Sequence, residues 1–459
     1  MSLARETLGR KLRAASFESR EAIRSTASIR LVVSRAMRTP PSTKPTLLQA
    51  LGDKRMAAIL LLSFSSGLPL NLTGSTLQAW LAFDKVDIKT IGLFSLVGLP
   101  YILKFLWAPV LDRYLPPLLG RRRGWILIYQ FCLAIGIAVM AMSSPAHEPY
   151  ALAVIALIVA FLSASQDIVV DAYRVDVIPP TERALAAAAT TFGYRSAAVF
   201  AGAVILIVAA HIGWRLAYLL VAGIMAATLF ATLWAPEPAT PGRPPRTLAD
   251  AVVHPLHDLI NKKGAWGFLA LVLLYKVGDA FALSLYSAFM VKGVGLSAEQ
   301  LSIGKVTMTV STMVGVALGG WIYMRWGMFR SLLIFGFGQA VTNLLYMWLA
   351  LAGKLLWLAI LATAVDTLVG GMGQAAYVAF LVSLCSSNFS AAQYALLSAM
   401  SAVPRVVMGT IAGQVVALMG WANFFMITFA TAMPGLALLL VLRRPLNELE
   451  AREATGPKG

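Results

Sequence analysis

Residues 150–174 read YALAVIALIVAFLSASQDIVVDAYR, an apolar run that ends with two aspartates and an arginine. A helix needs roughly 20 consecutive apolar residues to cross the hydrocarbon core of a bilayer, so this stretch is long enough to span a membrane. The rest of the chain is similar, since 59% of its 459 residues are hydrophobic, 13% are charged and the mean hydropathy is +0.75. This composition excludes an ordinary soluble globular protein and predicts a multi-pass membrane protein.

The chain contains about twelve segments of this kind between Lys54 and Arg444. The sequence therefore predicts an all-α integral membrane protein. The expected spans are 55–83, 88–111, 124–144, 150–174, 184–210, 214–235, 266–291, 298–324, 330–352, 355–383, 391–418 and 421–442.

A net charge of +17 would suggest a polyanionic partner such as nucleic acid in a soluble protein, but the positions of the charges give another explanation. If both termini are cytoplasmic, 28 of the 38 Lys and Arg residues lie in or beside the segments on the cytoplasmic side, and 5 lie beside the outside loops. This asymmetry follows the positive-inside rule with an even number of spans. We therefore expect a lipid bilayer and not nucleic acid as the partner, with both termini cytoplasmic.

A long polar and proline-rich segment, PEPATPGRPPRTLADAVVHPLHDLINKKG, has six spans on either side. We interpret it as a cytoplasmic linker, 236–264, between an N-terminal six-helix bundle, 47–235, and a C-terminal one, 265–444. A basic cytoplasmic arm, 1–46, precedes the first bundle, and a cytoplasmic tail, 445–459, follows the second.

Several residues recur on the two sides of the linker at an offset of 208 to 212 positions, which predicts two pseudo-symmetric copies of a six-helix unit. Two such units joined by a long inside loop resemble the major facilitator architecture, in which the substrate binds between the halves near the middle of the membrane. The matched pairs are Gly67 with Gly278, Gly92 with Gly304, Arg113 with Arg325, Gln166 with Gln374 and Arg195 with Arg405.

The loop after the second span, APVLDRYLPPLLGRRRGW, combines an Asp-Arg pair with a basic cluster. It resembles the inside-loop motif of the major facilitator superfamily and marks Asp112, Arg113 and Arg121 as candidate gating residues. The second copy keeps Arg325, a further gating candidate, but has Tyr323 where the aspartate would be, which weakens a charge latch on that side. Positive-inside anchoring is the alternative for the basic cluster.

Ionisable side chains inside spans are costly and therefore mark candidate functional sites. Asp167 and Asp171 in the fourth span lie four residues apart, so they share one helix face about one turn from each other. Two carboxylates this close in a desolvated site resist simultaneous ionisation, so we expect one of them to bind and release a proton near neutral pH. Arg174 lies on the same face and is a gating candidate. A structural ion-pair network is the alternative for all three.

Arg195 and Arg405 occupy equivalent positions of the repeat, so the pseudo-twofold axis should place them on opposite sides of a central cavity. Guanidinium groups bind carboxylates in a bidentate manner that lysine cannot reproduce. This pair therefore suggests an anionic substrate. In the alternative, Arg195 and Arg405 form ion pairs with Asp167 or Asp366 on neighbouring helices.

The first span, SFSSGLPLNLTGSTLQAWL, contains a proline, two glycines and a row of hydroxyl and amide groups. Pro69 and Gly67 predict a bend, and neutral polar side chains suit a hydroxyl-rich or amide-rich ligand such as a sugar. Close helix packing by small residues is the alternative. The candidate substrate-binding residues besides the two arginines are Gly67, Asn71, Thr73 and Gln78 in this span, and Gln166, Lys276, Asp279, Asp366 and Gln374 in later spans, where Lys276 and Asp279 can also satisfy each other.

Four strings together resemble the AmpG-type muropeptide permeases of Gram-negative inner membranes. They are GLPLNLTGSTLQAWL at 67–81, LKFLWAPVLDRY at 103–114, GRRRGW at 120–125 and SASQDIVVDAYRVDV at 163–177. The resemblance implies proton-driven import of GlcNAc–anhydroMurNAc disaccharides, with or without a short peptide, from periplasm to cytoplasm. It places the family's first-span motif on Gly67, Pro69 and Thr73, and its fourth-span motif on Gln166, Asp167 and Asp171.

The chain contains no Walker motif, no HExxH and no GxSxG elbow, so we expect a transporter and not an enzyme. The expected mechanism is proton symport by alternating access, with the proton gradient as energy source, no cofactor, no metal and a monomer as the working unit. Two alternatives stay open. One is a related facilitator for another organic anion such as an acyl-CoA or a peptide, and the other is a membrane receptor that does not transport.

Overall fold

The computed structural model describes residues 53–114, 116, 120–178, 182–237, 254–261, 264–385 and 390–455. The arm predicted at 1–46, most of the predicted linker and the end of the predicted tail lie outside these residues. From Lys54 onward the chain forms one compact unit. The boundaries between the two bundles therefore stay a prediction.

The described residues are helical almost throughout and contain no strand. Ten of their helices are long and apolar enough to span a membrane, and two of these ten are divided by a glycine with left-handed φ, Gly327 and Gly420. The described chain thus has twelve membrane-length helices, as the sequence predicts. They are α1 Lys54–Phe83, α2 Ile88–Leu106, α3 Arg122–Met142, α4 Pro149–Val177, α5 Leu185–Ile212, α6 Trp214–Trp234, α7 Ala265–Gly293, α8 298–326, α9 328–352, α10 Leu356–Ser383, α11 390–419 and α12 421–441.

The predicted spans agree with these helices to within three residues at every boundary except the end of α2. The sequence predicts a span that continues to Leu111, but α2 ends at Leu106 and a separate short helix follows at Ala108–Arg113. Pro109 lies in the first turn of this short helix. Because proline has no N–H to continue the hydrogen-bond ladder of α2, the chain breaks there.

The irregular backbone of α1 lies beyond the predicted bend. The sequence predicts a bend at Gly67 and Pro69, whereas the structure has a π-helical turn at Leu72–Thr76 in which Gly74 leaves the helical region. Gly67 instead allows α5 to approach, since a Cβ on Gly67 would lie 2.9 Å from the Cβ of Ala197. The bend prediction was therefore wrong in position, and the missing side chain of Gly67 serves helix packing.

Two pairs of glycines mark equivalent turns in the two halves of the chain. Gly120 and Gly327 precede α3 and α9 with φ of 82° and 75°, and Gly213 and Gly420 precede α6 and α12 with φ of 86° and 79°. Left-handed φ favours glycine because a side chain is strained there. In each pair the second glycine lies 207 positions after the first. The recurrence supports the predicted duplication of a six-helix unit.

The two halves pack against each other along α1 and α7, α2 and α11, and α5 and α8. Between α2 and α11 the backbones approach closely. A Cβ on Gly92 would lie 2.7 Å from the carbonyl oxygen of Gly409 and 3.0 Å from the Cα of Gly413. We call this contact the glycine seam, and it leaves no room for a side chain at position 92.

Side-chain hydrogen bonds also connect the two halves at the same end of the bundle. Gln78 in α1 donates a hydrogen bond to the carbonyl of Ser284 at 2.7 Å and accepts one from the N–H of Ser287 at 3.0 Å, both in α7. Lys292, at the end of α7, donates to the carbonyl of Val86 in the loop between α1 and α2. Together with the glycine seam, these contacts close the bundle at the end that carries the loops 84–87 and 294–297.

Asp87 fixes the start of α2 at this closed end. Its carboxylate accepts hydrogen bonds from the N–H groups of Lys89 and Thr90, which have no partner within the helix. Burial alone opposes ionisation of Asp87, but these hydrogen bonds and the charge of Lys292 outweigh that effect and lower the pKa of Asp87. The loop therefore holds a fixed negative charge beside the end of α7.

Candidate transport site

A cavity of about 280 Å³ lies between α1, α4 and α5. The α4 residues lie in the second half of that helix and the α5 residues near its start, so the cavity is displaced from the closed end toward the opposite end of the bundle. Side chains four residues apart on α4, and again on α5, share one helix face and converge on the cavity. Its polar lining includes Ser66, Asp167, Asp171, Thr190, Tyr194 and Arg195.

Asp167 is a largely buried charge of α4, with a side chain that is 14% exposed. It accepts a hydrogen bond from the hydroxyl of Ser66 in α1, and its carboxylate lies 3.4 Å from the Nζ of Lys104 in α2. A carboxylate removed from water needs such a partner to remain charged. The Lys104–Asp167 ion pair therefore connects α2 to α4 at the edge of the cavity.

Asp171, one turn further along α4, has a different environment. Its side chain is 58% exposed, and its carboxylate lies 3.4 Å from the guanidinium of Arg174 on the same helix. Each of the two predicted proton-coupling aspartates thus has its own basic partner, as expected of an ion-pair network. Proton coupling at Asp167 or Asp171 stays a prediction, and the buried Asp167 is the stronger candidate because protonating it would release an ion pair between two helices.

Arg195 and Arg405 form none of the ion pairs that the sequence left open. Arg195 lines the cavity, and both side chains are exposed. Among the described residues, neither guanidinium has a carboxylate within 4.0 Å, so Asp167 and Asp366 are not their partners. Arg195 is therefore an uncompensated cation in a cavity whose two aspartates are already paired.

The predicted residues of the C-terminal half lie in three settings. Lys276 and Asp279 in α7 pair with each other at 3.4 Å, as the sequence allowed. Gln374 is exposed on α10. Asp366, also on α10, is 2% exposed, and its carboxyl oxygens lie within hydrogen-bond distance of the hydroxyls of Thr342 and Tyr346 in α9.

Gln166 lies inside the N-terminal half, away from the cavity. Its Nε2 donates to the hydroxyl of Ser65 in α1 at 2.9 Å, and the same hydroxyl accepts from Gln130 of α3 at 3.0 Å. All three side chains are fully buried. The contact with Ser65 joins α1, α3 and α4, and the substrate-binding role predicted for Gln166 has no support from its position.

Some polar side chains of α1 make hydrogen bonds within the protein, and others make none to another described residue. Thr73 donates to the carbonyl of Pro69 within the helix at 2.8 Å, and Gln78 is used by α7 at the closed end. Asn71 and Ser75 are half-buried and make no hydrogen bond to another described residue. In this row, Asn71 and Ser75 are thus the side chains that remain available to a ligand.

Three of the five predicted gating residues have side chains that lie outside the described part of the chain. They are Asp112, Arg113 and Arg121. Arg325 stacks on the ring of Trp321 at 3.9 Å and is exposed. Arg174 pairs with Asp171 as described above. Their gating roles stay predictions.

Two further arginines of the basic cluster hold the N-terminal half together. Arg122 pairs with Asp176 of α4 at 2.7 Å, and both side chains are largely buried. Arg123 donates to the carbonyls of Thr232 and Leu233 at the end of α6, where helix carbonyls have no partner within the helix. In the described residues this part of the cluster joins α3 to α4 and α6.

Sequence reasoning missed Ser66 and Thr190 as cavity residues. Ser66 lies in the hydroxyl-rich string of the first span, one residue before the motif taken from the family. Thr190 directly follows the alanine run 186–189 and lies five residues before Arg195. The available signal was polar side chains on the face of a span that also carries a charge, and it can be read only when the helix orientation is known.

A polar cavity with deep charges inside a twelve-helix bundle defines a membrane transporter fold, and residues 59–407 match the Major Facilitator Superfamily. The chain belongs to this superfamily. Its fold is similar to that of a bacterial homolog of the human lysosomal transporter Spinster in an inward-facing and unoccupied conformation, with a TM-score of 0.66 at 15% identity, covering 86% of this chain and 97% of that chain.

Within the superfamily, the chain is similar to the anhydromuropeptide permease of Escherichia coli (strain K12), at 46% identity over 395 residues that cover 86% of this chain and 80% of the permease. An uncharacterized protein of Haemophilus influenzae is 36% identical over 399 residues, covering 84% of this chain and 94% of that protein. The chain belongs to the AmpG-type muropeptide permeases, which confirms the resemblance found in the sequence.

Proposed function

We propose that this transporter imports GlcNAc–anhydroMurNAc disaccharides, with or without a short peptide, across the inner membrane of a Gram-negative bacterium by proton symport. The proposal is supported by the 46% identity to an anhydromuropeptide permease. It is also supported by the chemistry of the cavity, which combines hydroxyl groups with a cation. We expect the protein to work as a monomer, with the proton gradient as its energy source and no cofactor.

The observation that carries the substrate class is the unpaired guanidinium of Arg195. Lys104 and Arg174 compensate the two aspartates of the cavity, so Arg195 leaves the cavity with an excess positive charge. Fragments of peptidoglycan carry carboxylates and many hydroxyl and acetamido groups. Arg195 suits the carboxylate because its fork of donors matches the two oxygens, and Ser66 and Thr190 suit the sugar hydroxyls.

The orientation of the chain follows from its charges. The positive-inside rule places both termini, the linker and the loops that carry the basic cluster in the cytoplasm. The closed end with the glycine seam then faces the periplasm, and the cavity lies toward the cytoplasmic side. The structure would thus be the inward-facing state of an alternating-access cycle.

Asp167 links the proton to this cycle. In this structure its carboxyl group lies 3.4 Å from the ammonium of Lys104, which is the contact that an ionised Asp167 makes. Protonation from the periplasmic side, in the opposite state, would neutralise Asp167 and free Lys104. The ion pair between α2 and α4 would then form only when the proton leaves toward the cytoplasm, which couples proton release to inward opening.

The experiment that tests this function is a competition assay with the purified protein. Labelled anhydro-disaccharide tripeptide should bind, and unlabelled anhydro-disaccharide should displace it. Displacement by an acyl-CoA or a free peptide with equal potency would favour a facilitator for another organic anion. Binding without uptake into proteoliposomes would favour a receptor that does not transport.

A further inference from the structure

The C-terminal half contains a buried carboxylate in a setting unlike that of the other deep aspartates. Asp167 and Asp279 each lie 3.4 Å from a lysine ammonium. Asp366 is 2% exposed, and within the described part of the chain it has no basic nitrogen within 4.0 Å. Its partners are the hydroxyl of Thr342 at 2.6 Å and the hydroxyl of Tyr346 at 3.2 Å.

The hydrogen bonds of Thr342 show which form of Asp366 fits this site. The Thr342 Oγ1 lies 2.6 Å from Asp366 Oδ1 and 2.7 Å from the carbonyl oxygen of Gln339. A threonine hydroxyl has one proton to donate, and both a carboxylate and a carbonyl only accept. If Asp366 were ionised, one of these two short contacts would join two acceptors without a hydrogen between them.

A protonated Asp366 removes this conflict. Its carboxyl O–H donates to Thr342 Oγ1, and the proton of Thr342 is then free to donate to the carbonyl of Gln339. Tyr346 donates to the other carboxyl oxygen. Every short contact then has a hydrogen, and no charge is left buried without a counter-ion.

The neighbouring helices place no cation close enough to Asp366 to neutralise its carboxylate. In α7, Lys276 and Asp279 pair with each other. In α8, Lys305 is buried with its Nζ over the ring of Tyr286 at 4.8 Å. The adjoining α12 presents the apolar ring of Phe425 to Tyr346 at 5.4 Å. None of these charged groups lies within ion-pair distance of Asp366.

We infer that Asp366 is a second proton-binding site of this transporter, occupied in the inward-facing state while Asp167 is ionised and paired with Lys104. Releasing this proton requires Thr342 to give up one of its two short contacts, because its single hydroxyl proton cannot serve both an ionised Asp366 and the carbonyl of Gln339. The role of this proton in driving transport rests on the proposed function. The presence of the proton on Asp366 is independent of that function.

Infrared difference spectroscopy of the full chain in lipid tests the presence of the proton directly. A protonated carboxyl group has a C=O stretch that a carboxylate lacks. We expect this band in the wild type near neutral pH and its loss in Asp366→Asn, whereas Asp279→Asn keeps it. Thr342→Val should shift the band, because it removes the acceptor of the carboxyl O–H. An Asp366→Asn spectrum with an unchanged band overturns the inference.

The Thr342→Val variant also protects the test against misfolding. If Asp366→Asn does not fold, the C=O band of Thr342→Val decides. A shift of this band supports its assignment to Asp366, and an unshifted band contradicts the assignment.

Uptake into proteoliposomes adds the functional readout. We expect Asp366→Asn to lose gradient-driven accumulation of the substrate while it keeps equilibrium exchange. Accumulation at the wild-type level, relative to exchange, contradicts a role of Asp366 in coupling. A wild type that takes up no muropeptide refutes the proposed substrate and leaves the spectroscopic result to decide on Asp366.

Discussion

The ammonium of Lys104 in α2 lies 3.4 Å from the carboxylate of Asp167 in α4, at the edge of the cavity. This pair explains how an aspartate is tolerated deep in an apolar helix, since each charge compensates the other. It also joins two helices through a contact that a single proton can remove. Removing either partner should therefore be more damaging than removing both.

Lys104→Met leaves the Asp167 carboxylate without its cation and should cost about 1–3 kcal/mol of stability. The estimate is moderate because the Lys104 side chain is 35% exposed. Asp167→Asn in the same chain should restore part of the loss, with a coupling of about 1 kcal/mol. Thermal unfolding of the two single variants and the double variant in lipid nanodiscs measures this coupling. Additive losses would mean that the pair contributes nothing.

Gly92→Val should prevent closure of the bundle at the glycine seam. Its side chain would meet the backbone of Gly409 and Gly413, an overpacking of about 1–3 kcal/mol against the closed state. The matched control is Gly223→Val in α6, where a Cβ meets nothing within 4 Å.

Spin labels placed at Lys85→Cys and Glu299→Cys, one in each half at the closed end, report the result after replacement of the native cysteines. We expect a longer distance between the labels in Gly92→Val than in the wild type, and no change in the Gly223→Val control. An unchanged distance in Gly92→Val would show that the seam does not hold the closed state.

The turn before α3 should not tolerate a side chain. Gly120 has a φ of 82°, and a Cβ there would lie 2.5 Å from Oε1 of Glu237, which accepts hydrogen bonds from the N–H groups of Arg122 and Arg123. Gly120→Ala should therefore cost about 1–2 kcal/mol. In a Glu237→Ala background the same substitution should cost less, because only the backbone strain remains.

The second half of the chain repeats this arrangement before α9. A Cβ on Gly327 would lie 2.6 Å from Oε1 of Glu450, and this oxygen accepts from the N–H of Met328 at 2.9 Å. Gly327→Ala should lower the unfolding temperature by an amount similar to that of Gly120→Ala. A large effect at one glycine and none at the other would contradict the equivalence of the two turns.

The helices were predictable because their signals are local. Hydropathy and length locate each span, and the i, i+4 spacing of Asp167 and Asp171 places them on one face whatever the rest of the chain does. The partners were not predictable, since they come from distant parts of the chain. Lys104 lies 63 positions before Asp167, and Ser66 lies 101 positions before it.

Residue type alone also failed to separate ligand positions from packing positions. Gln166 and Gln374 look equivalent in the sequence, but the structure buries the first in a contact with Ser65 and exposes the second. Gly67 looks like a hinge, but it lies against Ala197 of α5. The difference depends on which neighbouring helix faces each residue, and helix packing of this kind leaves no signature in a single sequence.

Arg195→Gln should weaken binding of an anionic muropeptide by about ten- to a hundredfold, the value of one or two charge-assisted hydrogen bonds. Arg195→Lys should recover part of this loss, because lysine keeps the charge but not the bidentate geometry. Arg174→Gln is the matched control, since Arg174 already pairs with Asp171. Isothermal titration with the anhydro-disaccharide tripeptide gives the three affinities. Equal losses in Arg195→Gln and Arg174→Gln would contradict a specific role of Arg195.

The most direct test of proton-coupled transport is uptake of labelled anhydro-disaccharide tripeptide into proteoliposomes, with and without an inward proton gradient. The wild type and Asp171→Asn should concentrate the substrate when the gradient is present. Asp167→Asn should let the substrate equilibrate without concentrating it. Asparagine cannot alternate between binding a proton and pairing with Lys104. Concentration by Asp167→Asn to the wild-type level would contradict coupling through the Lys104–Asp167 pair.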